Sequence, residues 1–342
     1  HDRERKLRKL KRDRGGAGET DGAIRSALVD LGDLYQKQDR LSEAEEKYLE
    51  ALEIAISNEG EGGEMVATVS WRLCDIYKQQ GKLDDALGMV KRALRVYRRM
   101  HGDEHINVVH MLNSLGDVLY RKGQLDRALA KYKKAHALSC RLLGEDHLTV
   151  SAVLSNMAVV LGDQGKGAEA IALQEKVLGI QRRNMGSDSD TVATDALATS
   201  LLNLGCSYAE LGMLEEGQAR LAEGLGILRR NHPERNAREG GILSNMAQIC
   251  ILQGKLDDAL AMLNKAYRIF RKTLGLETAE VATVLGNTGS VLRSQGKLEA
   301  AMDKFSEGQA IIRRVVGDEH PDFAHSLFNM ALCKEDLGDV AG

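Results

Sequence analysis

Residues 81–122 read GKLDDALGMVKRALRVYRRMHGDEHINVVHMLNSLGDVLYRK, and at Gly123 the same pattern starts again. The opening glycine recurs as Gly81, Gly123, Gly165, Gly212, Gly254, Gly296 and Gly338, with Asp39 in the first copy. The interval is 42 residues throughout, except for 47 between Gly165 and Gly212. A second column keeps the same register: Gly32, Cys74, Gly116, Ala158, Gly205, Ala247, Gly289 and Ala331. Both columns place five extra residues in one interval, so an insertion is expected near Ser187 to Ala196. Self-similarity at such a period is the mark of a stacked repeat array. A length of 342 residues would suggest two domains at roughly 150 residues each. The repeats argue instead for one array over residues 24–342, seven full repeats plus the first helix of an eighth.

Each repeat reads as two helices. Leu28, Leu31, Gly32 and Tyr35 stand at the spacing of one helical face, and Ala44, Tyr48 and Ala51 form another. Asp39-Arg40 makes the turn between them, and Ser42 is the expected N-cap of the second helix. Its equivalents are Asp84, Asp126, Glu215, Asp257 and Glu299, with Ala168 the exception. Gly102, Gly144, Gly186, Gly275 and Gly317 fall where the second helix should close. Small residues at Ala86, Ala128, Ala170, Gly217, Ala259 and Ala301 mark the points where two helices cross closely.

The pattern Leu28, Leu31-Gly32, Tyr35, Ala44, Tyr48, Ala51 resembles the tetratricopeptide repeat. The 42-residue unit is similar to the kinesin light chain subtype through its junctions Gly102-Asp103-Glu104-His105, Gly144-Glu145-Asp146-His147 and Gly317-Asp318-Glu319-His320-Pro321-Asp322. Nephrocystin-like proteins and the sensor arrays of STAND-type ATPases share that junction. The resemblance implies an all-α, right-handed superhelical solenoid of stacked antiparallel helix pairs that works by binding other proteins.

Opposite the core stripe of the first helix lies a free face that would line the concave side of such a stack. Its central column reads Asp30, Arg72, Ser114, Asn156, Asn203, Asn245, Asn287 and Asn329, so five of the chain's twelve asparagines follow one another there. An asparagine offers both a donor and an acceptor, which suits the backbone of an extended peptide. The resemblance implies that role, because tetratricopeptide proteins often hold peptide backbones with asparagines at this position. An amide ladder between neighbouring helices, binding nothing, is the other reading. Asp33, Lys37, Asp75, His110, Asp117 and Arg121 charge the face in the early repeats, whereas Gln248, Thr283, Ser290 and Ser294 leave it nearly neutral later. The candidate groove is therefore Asn156, Asn203, Asn245, Asn287, Asn329, Arg72, Ser114, Asp75, Arg121 and Gln248. Trp71, on its flank, is either an exposed anchor or a packing residue.

Composition narrows the functional classes. The 47 Lys and Arg nearly balance 50 Asp and Glu, and hydrophobic residues make up 43%, as in an ordinary globular chain. No apolar run is long enough for a membrane span. The five cysteines, Cys74, Cys140, Cys206, Cys250 and Cys333, are scattered without a CxxC pair. They fit small apolar fillers in a reducing compartment such as the cytoplasm. Residues 1–14 carry eight basic against three acidic residues, ahead of the glycine-rich Gly15 to Gly18. Residues 1–23 are expected to be a tail and linker, with nucleic-acid contact a minor alternative for the basic part. A start without Met and a stop inside a repeat suggest a piece of a longer chain.

His105, His147 and His320 form a column, but one repeat or more separates them, so junction capping is expected rather than metal binding. The pairs Arg98-Arg99, Arg182-Arg183, Arg229-Arg230 and Arg313-Arg314 sit where cations complement helix ends. Gly-Lys-Leu at Gly81, Gly254 and Gly296 lacks the spaced glycine and Ser/Thr of a phosphate loop. No catalytic residue, cofactor or metal is expected. The expectation is a non-enzymatic adaptor that takes an extended peptide or a partner helix in its groove, in the manner of kinesin light chain. The alternatives are a structural scaffold subunit or the sensor array of a STAND-type ATPase. The Phe323, Leu327 and Phe328 face of the last helix is a possible surface for self-association.

Overall fold

A computed structural model describes residues 4–5, 7–8, 19–185, 191–234, 236–318 and 321–338. Among them there are fifteen helices and no strand. Two compact units divide the chain, His1–Ile180 and Gln181–Gly342. The first holds α1 (Glu19–Lys37), α2 (Leu41–Glu59), α3 (Glu64–Gln79), α4 (Leu83–His101), α5 (Ile106–Arg121), α6 (Leu125–Leu143), α7 (Leu148–Asp163) and most of α8 (Gly167–Asn184). The second holds α9 (Thr191–Glu210), α10 (Leu214–Asn231), α11 (Ala237–Leu252), α12 (Leu256–Thr273), α13 (Ala279–Ser294), α14 (Leu298–Val315) and α15 (Pro321–Asp336). Odd helices are the first of each pair and even helices the second. Within each unit a first helix packs most extensively on the second helix that follows it, and then on the preceding one. First helices of neighbouring repeats also touch, α5 with α7 in one unit and α9, α11, α13 and α15 in the other. No comparable contact joins second helices among the described residues, so the first helices line the inner side of each stack.

The pairing turn is a helix C-terminal motif repeated seven times. Lys82 N–H donates to the Tyr77 carbonyl at 2.9 Å, five residues back, and Arg40, Gln124, Lys166, Met213, Lys255 and Lys297 do the same. Closing that ring requires a residue in the left-handed region, and Gly81 has φ 74°. Asp39 reaches φ 59° in the first copy, a conformation that aspartate tolerates better than most residues.

The expected N-caps are displaced. The second helices begin one residue before Ser42 and its equivalents, and the cap positions are Arg40, Lys82, Gln124, Met213, Lys255 and Lys297, none with a side-chain cap bond. The tight turn already fixes these residues, leaving no extended position for a capping side chain. The acidic residues fall in the first helical turn, where they meet the positive end of the dipole. Side-chain capping belongs to the first helices. His105 and His147 accept from the backbone N–H two residues on, at 3.2 and 3.1 Å, through Nδ1. Asn236 and Thr278 cap α11 and α13. Capping thus accounts for two members of the histidine column; His320 lies outside the described residues, as do Gly186 and residues 186–190 of the insertion.

Leu28, Leu31 and Tyr35 from α1 and Ala44, Tyr48 and Ala51 from α2 are buried, as the spacing requires. A Cβ on Gly32 would stand 2.6 Å from the Tyr48 ring, and one on Gly116 2.5 Å from Tyr132. Gly205 meets Leu221, and Gly289 meets Phe305, in the same way. Where this column holds Cys74, Ala158 or Ala247, the equivalent second-helix residue is Val90, Gln174 or Leu263 instead of an aromatic. Burial pushes the Cys74 thiol up to about 12, so it stays a neutral filler. Near the N-terminus Leu7 is buried, and Glu4 accepts a 2.5 Å bond from Tyr35 Oη.

We predict that Gly116→Ala lowers stability by about 1 kcal/mol, because overpacking costs about 1–3 kcal/mol against a helix-propensity gain of about 1 kcal/mol. Adding Tyr132→Val lowers stability further, by about 2–4 kcal/mol, because one methyl at position 116 does not fill the space of the buried ring. Urea unfolding followed by circular dichroism checks both.

Candidate functional site

The inner face of the first helices differs sharply between the units. In the first it is bonded to itself. Trp71 Nε1–H donates to Ser114 Oγ at 3.1 Å, and its ring stacks on His110 with centroids 6.0 Å apart. Burial lowers the pKa of His110, which favours a neutral ring in that stack. Trp71 is therefore a bridge between α3 and α5, not an exposed anchor. Arg72 reaches Asp33 at 3.5 Å, and Asp33 also accepts from Tyr48 Oη at 2.5 Å. Lys78 Nζ lies 2.7 Å from Asp75 and 2.8 Å from Asp117. Burial opposes the Lys78 charge, but the two carboxylates outweigh it and hold its pKa above the ordinary value. Arg121 closes this network on Asp117 at 3.4 Å, and Asn156 Nδ2 donates to Asn113 Oδ1 at 3.0 Å. Arg72, Asp75, Ser114, Arg121 and Asn156 thus belong to a polar network that links one repeat to the next.

In the second unit the same face is open. Asn245 lines a cavity of about 430 Å³ and Asn287, Asn329 and Gln248 line another of about 410 Å³. The two cavities share Ala279 and Thr283, so they adjoin along α13. Leu202, Leu228, Ile242, Phe270 and Val284 wall the first, and Ile251, Phe305 and Ile312 the second. Asn245 Nδ2 sits 3.2 Å from Cys206 Sγ, a weak acceptor. Asn203 is exposed on α9 and lines neither cavity. At the rim of the first cavity Asp195 accepts from Asn231, His232 and Arg238, at 3.0, 2.7 and 3.3 Å. The bonds from Asn231 and then His232 hold its carboxyl below the usual range.

Sequence reading missed Gly241 and Gly286, which line the first and second cavity. The available signal was the loss of side chain at two face positions where earlier repeats carry Thr68, His110, Trp71 and Asn113. The arginines at the second-helix ends have acidic partners: Arg98 with Asp103, Arg229 with Glu239, Arg313 with Asp318 and Arg314 with Glu277. These ion pairs compensate part of the positive charge along that edge. Leu327 and Phe328 on α15 are 48% and 60% exposed. Among the described residues no three His, Cys, Asp or Glu side chains gather as metal ligands, and no helix is long and apolar enough to cross a membrane.

The sequence matches the tetratricopeptide repeat family over residues 23–99, 65–141, 107–183 and 238–311. None of the curated proteins matches it. Among solved structures it is similar to BtubC (BKLC) from P. vanneervenii, with 23% identity and a TM-score of 0.59 over 69% of this chain and 92% of that one. A candidate kinesin light chain with nearly identical TPR-like repeats from Podosopora anserina gives 19% identity and a TM-score of 0.53, covering 62% of this chain and 99% of that one. A STAND protein with a tetratricopeptide repeat sensor from Pyrococcus horikoshii gives 15% identity and a TM-score of 0.67 over 98% of this chain and 49% of that one. At these identities the likeness is one of fold.

The two halves of the face predict different responses to truncation. Ser114→Ala removes the acceptor of a half-buried indole N–H and should cost about 1 kcal/mol. Asn287→Ala should stay within about 0.5 kcal/mol. Urea midpoints of the two variants beside the parent chain check the contrast.

Proposed function

The chain belongs to the tetratricopeptide repeat family, and on that premise we propose that it is a protein-interaction module whose second unit holds an extended peptide segment of a partner protein. The observation that carries this reading is the placement of Asn245, Asn287 and Asn329 at equivalent points of α11, α13 and α15, along two adjoining cavities. Each amide can give one bond and take one, which matches the alternating N–H and C=O groups of an extended chain. Such bonds are worth about 0.5–1.5 kcal/mol each, so three of them position a peptide and the cavities supply the rest of the affinity. The kinesin-light-chain-like junctions Gly102 to His105 and Gly144 to His147 favour an adaptor role, joining a bound protein to something else.

The first unit supports a scaffold role of its own. Its inner face spends its polar groups on bonds between repeats, through Trp71 and Ser114, Lys78 and Asp117, and Asn156 and Asn113. A face tied together in this way offers a partner few free groups, and it stiffens its own stack.

An affinity pull-down with the wild-type chain beside an Asn245→Ala/Asn287→Ala double variant tests the reading, once equal helicity and melting are established. Partners that vanish from the double variant alone are the expected result. An unchanged set of partners would remove the groove from the binding mechanism and make the asparagines structural.

A further inference from the structure

We propose that Gly241 and Gly286 set the specificity of this face, by keeping open two side-chain pockets that each take one uncharged, apolar side chain of the same bound segment. The inference rests on the peptide-groove reading and names what the peptide must carry.

Glycine inside a helix weakens it, so each one calls for a local reason. Gly32, Gly116, Gly205 and Gly289 have one, since a Cβ would strike Tyr48, Tyr132, Leu221 or Phe305 at 2.5–2.7 Å. At Gly241 and Gly286 a Cβ would meet nothing within 4 Å. Gly88 and Gly162 are equally unopposed, but both are exposed and line neither cavity. Gly241 and Gly286 differ because the empty space beside them is a walled cavity, about 430 and 410 Å³ in size, within the range of ligand pockets.

The first unit indicates what such a space accepts. His110 holds in its repeat the position that Gly241 holds in its own, and Trp71 stands where Gly286 does. In the first unit those two rings stack on each other and close the face. Gly241 and Gly286 supply no ring at those two positions, although His325 and Phe328 occupy them in the last repeat, and the apolar walls Leu202, Ile242 and Phe270, then Ile251, Phe305 and Ile312, are left for side chains from outside. Among the described residues no charged one lines the second cavity, so a charged side chain placed there would lose its water with no partner from them. The first cavity carries Arg238 and Glu280, of opposite sign, with Arg238 already on Asp195. The Ser244 hydroxyl, which lines this cavity, has no hydrogen-bond partner among the described residues. Because both cavities meet at Ala279 and Thr283, with Asn245 in the first and Asn287 in the second, one continuous segment can fill both while its backbone meets the amides.

The probe is a phage-displayed library of random peptides selected on the wild-type chain, followed by binding of the enriched peptides to Gly241→Leu, Gly286→Leu, Gly88→Leu and Asn245→Ala/Asn287→Ala. Peptides with two uncharged apolar residues at a fixed spacing should be enriched. Each groove glycine variant should weaken them at least tenfold and shift selection at one of the two residues, with Gly88→Leu without effect. Melting of the glycine variants should equal or exceed that of the wild type, and Gly241→Val and Gly286→Val replace any that melt lower. Enriched peptides that depend on charged residues, or that bind the groove glycine variants undiminished, overturn the pockets. If the asparagine double variant still loses those peptides, the groove reading survives alone. If it binds them too, or if no peptide is enriched, both fall.

Discussion

Everything in this chain rests on how closely two antiparallel helices can approach at one crossing point. Where that point holds Gly32, Gly116 or Gly289, the ring of Tyr48, Tyr132 or Phe305 lies against bare backbone. Where it holds Cys74 or Ala247, the residue opposite is Val90 or Leu263. Space at the crossing is limited, and the three aromatic rings, Tyr48, Tyr132 and Phe305, all stand opposite glycine. The turn at Gly81 and its equivalents holds the helices in that register, through a bond from the residue after the glycine to a carbonyl five residues back. Crossing and turn together define a helix pair, and stacking such pairs buries surfaces that no single pair could cover.

Because the crossing occupies one side of each first helix, the other side is free to vary. The two units use that freedom differently. In the first unit Trp71, His110, Ser114, Lys78 and Asp117 are joined across repeats, and the inner face is closed by the chain's own groups. In the second, glycine, serine and asparagine leave the walls formed by Phe270 and Phe305 accessible. The backbone pattern is the same in both. What changes is whether the groups at that face are joined to one another or line open cavities.

Much of this was legible in advance. The 42-residue period located every turn glycine, and the helical spacing identified Leu28, Leu31, Tyr48 and Ala51 as core, all of them buried. The asparagine column was visible for the same reason: residues one period apart occupy equivalent sites. The displaced caps were not legible, because Ser42 and Asp84 satisfy a compositional rule for N-caps whether they stand just before the helix or two residues later. Backbone bonds in the turn settle the matter, and they do not depend on which side chain is present. Gly241 and Gly286 were missed for a related reason. A helical glycine can signal close packing, exposure or an opening, and only its neighbours tell these apart.

By itself, then, the sequence determined the repeat, the helix pairs, the core and the identity of the inner column, because each follows from periodicity along the chain. Only the tertiary structure decided which members of that column are engaged. Asn156 faces Asn113 at 3.0 Å, whereas Asn287 faces a cavity, although both occupy the same position in their repeats. The difference is made by residues on neighbouring helices, some forty positions away in the chain. A hydrogen bond or an empty space depends on distances between those helices, and periodicity carries no information about them.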